Sequence, residues 1–284
     1  MQRGVALVTG SSSGFGLRSC LSLRAHGFKV YASMRDLDRG GELERAVAES
    51  GFETQGVIPI ALDVTSADQR EAVVARVLAE DGAVDVLVNN AGTMLTGFVE
   101  DTNEASLREQ FEATFFAVTA LTQALLPAMR ERRHGRVINM SSVSGRRALP
   151  SHAAYCAAKF ALEGWSEALR YEMVPYNVFV SLVEPGLYPT EIFGRNHRRA
   201  GPDEPSRALH SKTTAALEAA SARMQDWMSW ADPADVARVV AEIAVAPEPK
   251  LRYPVGIDAW ASALSFGPAV QSWWEQYMRG LFRS

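Results

Sequence analysis

Two side chains of this 284-residue chain are spaced for acid–base chemistry. Tyr155 and Lys159 lie four residues apart in a stretch of helical periodicity, so both project from one face of a helix. A lysine ammonium about 4 Å from a phenol favours the phenolate by up to about 4 kcal/mol, or roughly three pKa units. Tyr155 then exchanges a proton with a carbonyl or alcohol oxygen, and Ser142 is a candidate hydrogen-bond donor to that oxygen. Taken alone, a Tyr-x-x-x-Lys pair is more often ordinary helix surface.

A glycine-rich run follows the first predicted strand and opens the first predicted helix. Residues Thr9 to Gly16 are TGSSSGFG, with the spacing G-x-x-x-G-x-G. Glycines let the backbone approach a pyrophosphate, and the N-terminus of a helix offers unpaired N–H groups and a positive dipole end. The strand-turn-helix context favours a dinucleotide over a turn without a ligand. The residues predicted to contact it are Gly10, Ser11, Ser13, Gly14, Phe15 and Gly16. Lys159 is a candidate to hold the nicotinamide ribose.

The end of the second predicted strand discriminates between the two nicotinamide dinucleotides. An acidic residue there accepts the ribose hydroxyls of NAD and repels a 2′-phosphate. Met34 stands at that position, and Arg35 follows with a guanidinium suited to phosphate. Ser11 is a candidate hydroxyl donor to the same phosphate. We therefore predict NADP(H). NAD(H) is the less favoured alternative, and it stays open because Asp36 is able to pair with Arg35 and neutralise its charge.

The elements that position these residues alternate between short apolar runs and longer helical stretches, which predicts an α/β fold with a Rossmann-type, doubly wound parallel sheet. The predicted strands are Val5–Val8, Lys29–Ala32, Val57–Leu62, Val84–Val88, Arg136–Asn139 and Asn177–Val183, with a weaker seventh at Tyr253–Val255. The predicted helices are Gly16–Gly27, Leu37–Ser50, Ser66–Glu80, Asn103–Arg132 and Ala153–Val174. We expect one domain, with a core over 1–185, a substrate loop or lid over 186–232, and a C-terminal helix, strand and aromatic tail over 233–284.

Composition limits the partners. Hydrophobic residues make up 47% and charged residues 22%, as in an ordinary globular domain, and the net charge of −4 disfavours nucleic acid. Cys20 and Cys156 lie in predicted helices and are too few for a disulfide framework or a cysteine-based metal site, so we predict no metal. No apolar run reaches the roughly 18 residues of a membrane span. These features predict a cytoplasmic protein without stable membrane insertion.

Together these motifs resemble the short-chain dehydrogenase/reductase family along nearly the whole chain. The matching segments are Thr9–Gly16, Asp63-Val64, Asn89–Gly92, Ser142, Tyr155–Lys159 and Pro185-Gly186 followed by Thr190. The resemblance implies that Asp63 and Val64 flank the adenine, that Asn90, Ala91 and Gly92 line the ribose side, and that Tyr188 and Thr190 close over the nicotinamide amide. It also implies a homodimer or homotetramer formed through the fourth and fifth helices. The segment YCAAKFALEG from Tyr155 to Gly164 is most similar to the branch of 17β-hydroxysteroid and retinol dehydrogenases.

The chain departs from the family at one catalytic position. The family's tetrad has an asparagine in the long fourth helix, where it joins the lysine to a proton relay through water. Thr114 stands there in this sequence. A threonine hydroxyl has one polar atom where an amide has two. The sequence therefore leaves open whether the proton relay is intact and whether turnover is ordinary. Asn89 belongs to the strand-end motif and does not replace it.

The substrate region is expected after Gly186, beyond the carboxyl ends of the strands. A helical stripe of Leu217, Met224, Trp227 and Met228, with Trp230 beyond it, has equal odds of being a substrate lid or ordinary packing. Steroid, retinoid, polyketide and fatty carbonyls all remain candidate substrates. Charged residues at Arg195, Arg198, Arg199, Asp203 and Glu204 favour a solvated loop over an anion site. Tail aromatics at Trp273, Trp274, Tyr277 and Phe282 favour packing or a dimer contact over membrane adsorption.

Three functions compete at this point. The leading one is an NADP(H)-dependent oxidoreductase that acts on a lipophilic carbonyl or alcohol through Ser142, Tyr155 and Lys159. The second is a redox-neutral enzyme on the same scaffold, such as an epimerase, dehydratase or cyclisation catalyst, for which Thr114 is the only support. The third is a non-catalytic dinucleotide sensor, which needs no intact Tyr/Lys pair. The specific substrate, reaction direction and oligomeric state stay open.

Overall fold

A computed structural model of the chain describes residues 3–52, 56–200 and 231–259. Its strands are β1 (Gly4–Thr9), β2 (Phe28–Met34), β3 (Val57–Ala61), β4 (Val86–Asn89), β5 (Met94–Thr96), β6 (Gly135–Met140), β7 (Val178–Pro185), β8 (His197–Arg199) and β9 (Arg252–Val255). Its helices are α1 (Gly14–Ala25), α2 (Gly41–Glu49), α3 (Ala67–Asp81), α4 (Glu104–Phe111), α5 (Ala117–Glu131), α6 (Ala153–Met173) and α7 (Ala234–Val245). The predicted lid stripe, the aromatic tail, Asp203 and Glu204 lie outside the described residues.

The main sheet has the order β3-β2-β1-β4-β6-β7-β9, and all its neighbouring strands pair in parallel. The predicted doubly wound Rossmann-type fold is confirmed. The chain reverses its direction across the sheet between β1 and β4, which leaves a crevice at the carboxyl ends of these two strands. A small sheet of β5 and β8, which the sequence did not predict, lies beside this crevice.

Both faces of the main sheet are buried. In β1, Ala6 and Val8 pack with α1, α2 and α7, whereas Val5 and Leu7 pack with α3, α5 and α6. Burial on both faces is the reason why the strands appear in the sequence as continuous apolar runs rather than as alternating ones. Cys20 and Cys156 are buried in α1 and α6 as free thiols.

One long helix contains the position of Thr114. It runs from Glu104 to Glu131, with a π-helical turn at Glu112–Phe116 between α4 and α5. By length and composition alone, this helix is able to span a membrane, but the core helix of a globular protein passes the same test. The sequence led us to expect that no stretch is long enough. The expectation counted uninterrupted apolar runs, whereas the helix continues through its few charged residues.

The charged loop before residue 201 is engaged in local ion pairs. Arg195 Nε lies 3.0 Å from Glu191 Oε2, and Arg198 pairs with Glu109 of α4. The backbone of His197–Arg199 forms β8 against β5. These contacts fit the predicted solvated loop better than an anion site.

Candidate active site

A cavity of about 700 Å³ occupies the crevice at the carboxyl ends of the strands. Such a volume is typical of sites for cofactors and small ligands. Of the predicted site residues, the cavity is lined by Gly10, Ser13, Gly14, Phe15, Arg35, Asp63, Val64, Asn90, Ala91, Gly92, Ser142, Tyr155, Lys159, Pro185, Gly186, Tyr188 and Thr190. Ser11, Gly16 and Thr114 are not among the lining residues. The fold therefore brings distant motifs to one place.

The glycine-rich turn has the backbone geometry that a pyrophosphate requires. Gly10 and Gly14 adopt φ values of +68° and +55°, a region that favours glycine. Ser13 is the N-cap of α1 but makes no side-chain capping bond within the described part of the chain. The N–H groups of the first turn are consequently free of that competitor and available to an anion. We conclude that the turn fits the phosphates of a dinucleotide.

Two residues of this turn that are predicted to contact the cofactor do not line the cavity. The Ser11 hydroxyl donates to the Val8 carbonyl oxygen at 2.9 Å and is fully buried, so it faces the sheet rather than the cavity. Ser12, which the sequence analysis missed, lines the cavity instead. Gly16 packs the helix against the turn, because a Cβ added there would lie 2.2 Å from the Gly10 carbonyl oxygen. Gly16 therefore serves the close packing of α1 on the turn, and its predicted cofactor contact stays a prediction.

The end of β2 presents two guanidinium groups. Met34 is buried against the core, while Arg35 is exposed and lines the cavity. Asp36 pairs with Arg39, whose Nε lies 3.4 Å from Asp36 Oδ2, and not with Arg35 as the sequence analysis considered. Arg39 also lines the cavity and was missed, because the 3₁₀ turn Leu37–Gly40 brings it back toward the strand end. Arg35 therefore keeps its charge available to a ligand.

Hydrogen bonds hold the opposite wall of the crevice in place. Asn90 Nδ2 donates to the carbonyl oxygens of Thr9 and Gly10 at 2.9 and 3.0 Å, which ties the end of β4 to the glycine-rich turn. Asn89 points into the core, where its Nδ2 donates to Thr122 and Asn139. This placement agrees with the prediction that Asn89 takes no part in the relay.

The segment after β7 closes another side of the cavity. Tyr188 packs edge-to-face against Phe15, with ring centroids 5.4 Å apart. The backbone N–H of Leu187 donates to Asp258 Oδ2 at 2.7 Å. A Cβ at Gly186 would lie 1.9 Å from Asp258 Oδ1, so only glycine allows this approach. Asp258 lines the cavity and was missed, because nothing in its local sequence marks a residue near the C-terminus as part of the site.

Ser142, Tyr155 and Lys159 meet at the inner end of the cavity. Ser142 follows β6, its Oγ accepts from the Ser144 N–H, and it lies close enough to Tyr155 to act on the pKa of the phenol. Lys159 Nζ lies one helical turn further along α6, 5.7 Å from the centroid of the Tyr155 ring. It donates to the Met140 carbonyl oxygen at 2.6 Å. The three predicted catalytic side chains thus form one cluster.

Burial dominates the protonation of this cluster. Desolvation raises the pKa of Tyr155 to about 12, which outweighs the opposing effect of the Ser142 hydrogen bond. We expected Lys159 to lower the pKa of Tyr155, but the pKa is raised, because the Coulomb argument did not include the cost of burying a phenolate. Desolvation likewise lowers the pKa of Lys159 to about 8, although the Glu163 carboxylate acts against this. Tyr155 therefore carries its proton at neutral pH.

Comparison with known proteins decides the family. The short chain dehydrogenase family model matches residues 4–200. The chain is a short-chain dehydrogenase.

It is 34% identical over 282 residues to the uncharacterised oxidoreductase YusZ of Bacillus subtilis, covering 98% of both chains. It is 40% identical to bovine retinol dehydrogenase 8, over 66% of this chain and 60% of that one. With rat estradiol 17-beta-dehydrogenase 1, identity is 35% over 89% of this chain and 74% of the relative. These relatives confirm the predicted branch.

Solved structures agree with this assignment. A short-chain dehydrogenase from Streptomyces avermitilis superposes with a TM-score of 0.79 at 35% identity, covering 99% of this chain and 98% of that one. A metagenomic short-chain oxidoreductase in complex with NADP gives a TM-score of 0.69 at 28% identity, over 89% and 97% of the two chains. The fold of this short-chain dehydrogenase is therefore shared with oxidoreductases.

Thr114, the residue at which the chain departs from the family, belongs to a buried hydrogen-bond network. Thr114 Oγ1 accepts from Gln110 Nε2 at 2.7 Å, and both side chains are almost fully buried. The same Nε2 donates to the Thr93 carbonyl oxygen at 2.9 Å, and Gln110 Oε1 accepts from the Leu95 N–H at 2.6 Å. Gln110, which the sequence analysis missed, thereby ties the long helix to the cavity wall at Thr93. Thr114 itself does not reach the cavity.

This network predicts unequal effects on stability. Gln110→Leu deprives the buried Leu95 N–H of its acceptor, so we expect the free energy of unfolding to fall by about 1–3 kcal/mol. Thr114→Val is the matched control, because Gln110 Nε2 still has Thr93, and it is expected to cost less, about 0.5–1.5 kcal/mol. Urea unfolding of both variants measures the difference. Equal losses would contradict the bridging role of Gln110.

Proposed function

We propose that this short-chain dehydrogenase is an NADP(H)-dependent oxidoreductase that interconverts a carbonyl and an alcohol on a lipophilic substrate. The observation that carries the proposal is that one cavity contains the Ser142, Tyr155 and Lys159 cluster together with the glycine-rich turn and Arg35. A bound nicotinamide cofactor supplies or accepts the hydride. The family membership supports an oxidoreductase in general.

The side chains of the cluster divide the remaining work. In reduction, Tyr155 donates its phenolic proton to the carbonyl oxygen, and its raised pKa keeps that proton available at neutral pH. Ser142 hydrogen-bonds the same oxygen and orients it. Lys159, four residues further along the same helix face, holds the ribose of the cofactor and supplies positive charge close to the phenol as negative charge develops.

The choice of NADP(H) depends on the charges around the adenosine end. Arg35 and Arg39 both line the cavity there, and Met34 stands where an acid would favour NAD. Asp36 is held by Arg39 and by the Asp38 N–H, which restrains its carboxylate from competing for Arg35. The structural neighbour in complex with NADP gives independent support.

The lipophilic substrate is proposed from the apolar side of the cavity. Its lining residues there include Met94, Val143, Leu149, Ile192 and Phe193. Such walls favour substrates with a large hydrocarbon portion. The relatives named for retinol and estradiol fit this chemistry. Steroid, retinoid, polyketide and fatty carbonyls are the classes to test, and the 186–232 segment remains our proposed substrate loop.

The direct test is NADPH oxidation with a panel of lipophilic ketones and aldehydes, followed together with product mass. We expect NADPH consumption matched by a product two mass units heavier than the substrate. A change in product without cofactor turnover would instead favour a redox-neutral enzyme. Absence of both in a folded protein that binds NADPH would favour the dinucleotide sensor. Thr114 is the only support for redox-neutral chemistry, and this residue does not line the cavity.

We further propose a cytoplasmic homodimer or homotetramer that buries the exposed side of the long helix. Phe116 is 50% exposed there, and Phe160 of α6 is 46% exposed. Only 33% of the apolar window of the long helix is buried within one chain. Light scattering of the purified protein measures the assembly directly, and a monomer at micromolar concentration would contradict it.

A further inference from the structure

His152 is a polar residue of the cavity that the proposed reaction does not use. It is the N-cap residue of α6 and precedes Tyr155 by three residues. Both side chains line the same cavity. The shared lining makes the imidazole a candidate contact for a substrate that is bound beside Tyr155.

The hydrogen bonds of His152 determine its tautomer. Its Nδ1 lies 2.9 Å from the Pro150 carbonyl oxygen, which only accepts hydrogen bonds. Nδ1 must therefore carry the proton, and in the neutral ring Nε2 keeps its lone pair. Burial lowers the pKa of His152, which supports the neutral form at physiological pH. The nitrogen that remains for the cavity is thus an acceptor.

The surroundings make this acceptor selective. Val143, Leu149 and Met94 line the cavity with apolar side chains. The other nearby histidine, His197, is already hydrogen-bonded through Nε2 to Thr96 Oγ1 at 2.7 Å. A purely hydrocarbon substrate displaces water from His152 Nε2 without replacing its hydrogen bond, which costs affinity. A substrate that brings its own donor avoids this loss.

We propose that His152 Nε2 accepts a hydrogen bond from a hydroxyl group of the substrate, so that the preferred substrates are lipophilic hydroxy ketones and the corresponding diols. Because His152 and Tyr155 line the same cavity, ketones with a hydroxyl on the first or second carbon from the carbonyl are the substrates to test. This inference rests on the proposed carbonyl reduction. It makes His152 a specificity-determining residue, distinct from the proton donor.

The experiment compares two ketones with the same carbon skeleton, one with a β-hydroxyl and one without it. The measured quantity is the ratio of their kcat/KM values with NADPH. We expect the wild type to favour the hydroxy ketone by about 3- to 10-fold, the effect of one neutral hydrogen bond. The α-hydroxy isomer is measured beside them to locate the donor.

Two variants separate the two nitrogens of the ring. His152→Asn keeps an N–H for the Pro150 carbonyl oxygen but removes the distal acceptor, so it should lose the preference without harming the ketone that lacks the hydroxyl. His152→Gln places an amide oxygen near the position of Nε2 and should retain much of the preference. Thermal unfolding of each variant checks its fold.

The wild-type ratio decides the proposal even if a variant folds poorly. Equal kcat/KM values for the hydroxylated ketones and the plain ketone would overturn it while leaving the proposed reductase intact. A preference that survives in a folded His152→Asn variant would also overturn it, because the donor would then be bound elsewhere. Turnover of no ketone by a folded, NADPH-binding wild type would overturn the proposed function, and this inference with it.

Discussion

Replacing Tyr155 with phenylalanine is expected to lower kcat for carbonyl reduction by about 100-fold or more, while the affinity for NADPH stays nearly unchanged. The substitution keeps the buried ring and removes only the phenolic oxygen. That oxygen is the proposed proton donor, and general acid catalysis contributes about 10²–10⁴-fold. Steady-state NADPH oxidation measures the rate, and titration of cofactor fluorescence measures the binding.

A second tyrosine of the same helix provides the control. Tyr171 is 67% exposed and donates to Glu167 on the helix surface, so Tyr171→Phe removes the same atom away from the cavity. We expect wild-type turnover from it. Lys159→Ala, by contrast, should impair both cofactor binding and turnover, since it removes a charge that serves both. Normal turnover by Tyr155→Phe would mean that this cluster is not the catalytic centre.

The strands and the catalytic cluster were predictable because their signals are local in the sequence. Val84–Val88 predicts a buried strand from its apolar residues, and the structure has β4 at Val86–Asn89. The spacing of Tyr155 and Lys159 fixes their common helix face whatever the rest of the chain does. The parallel order of the strands then brings Ser142, at the end of β6, to the same edge of the sheet.

The parts that were not predictable depend on contacts between distant segments. β5 and β8 pair across about a hundred residues, as in Met94 opposite His197, and each strand has only three residues, too few for a recognisable pattern. The choice of Ser12 over Ser11 at the cavity depends on which hydroxyl the turn directs back to Val8. Gln110 was missed because a glutamine within a helix has no signal until the helix packs beside Thr93.

The raised pKa of Tyr155 shows a different limit. A pairwise Coulomb estimate gives the sign that a lysine neighbour imposes, but it contains no desolvation. In the folded chain Tyr155 and Lys159 are both buried, and burial disfavours the charged form of each. The pair therefore starts as a protonated phenol, whose pKa is raised, beside a lysine whose pKa is lowered.

Arg35→Ala is expected to weaken NADPH binding by about 10- to 100-fold and to leave NADH binding nearly unchanged. Arg35 lines the cavity at the end of β2, where we propose that the adenosine of the cofactor binds, and its only proposed partner there is the 2′-phosphate that NADH lacks. A hydrogen bond to a charged group contributes about 1.5–3 kcal/mol, which corresponds to that range of affinity. Titration of both cofactors at one ionic strength measures the selectivity.

Two further variants make the result specific to that position. Arg76→Ala removes an equal charge from an exposed pair with Glu80 on α3, so it should change neither affinity. Arg39→Ala should have a smaller effect on NADPH than Arg35→Ala, because part of the Arg39 charge is already opposed by Asp36. If Arg35→Ala weakens both cofactors equally, the guanidinium supports the fold of the strand end rather than reading the phosphate. The preference for NADP(H) would then have to come from another residue.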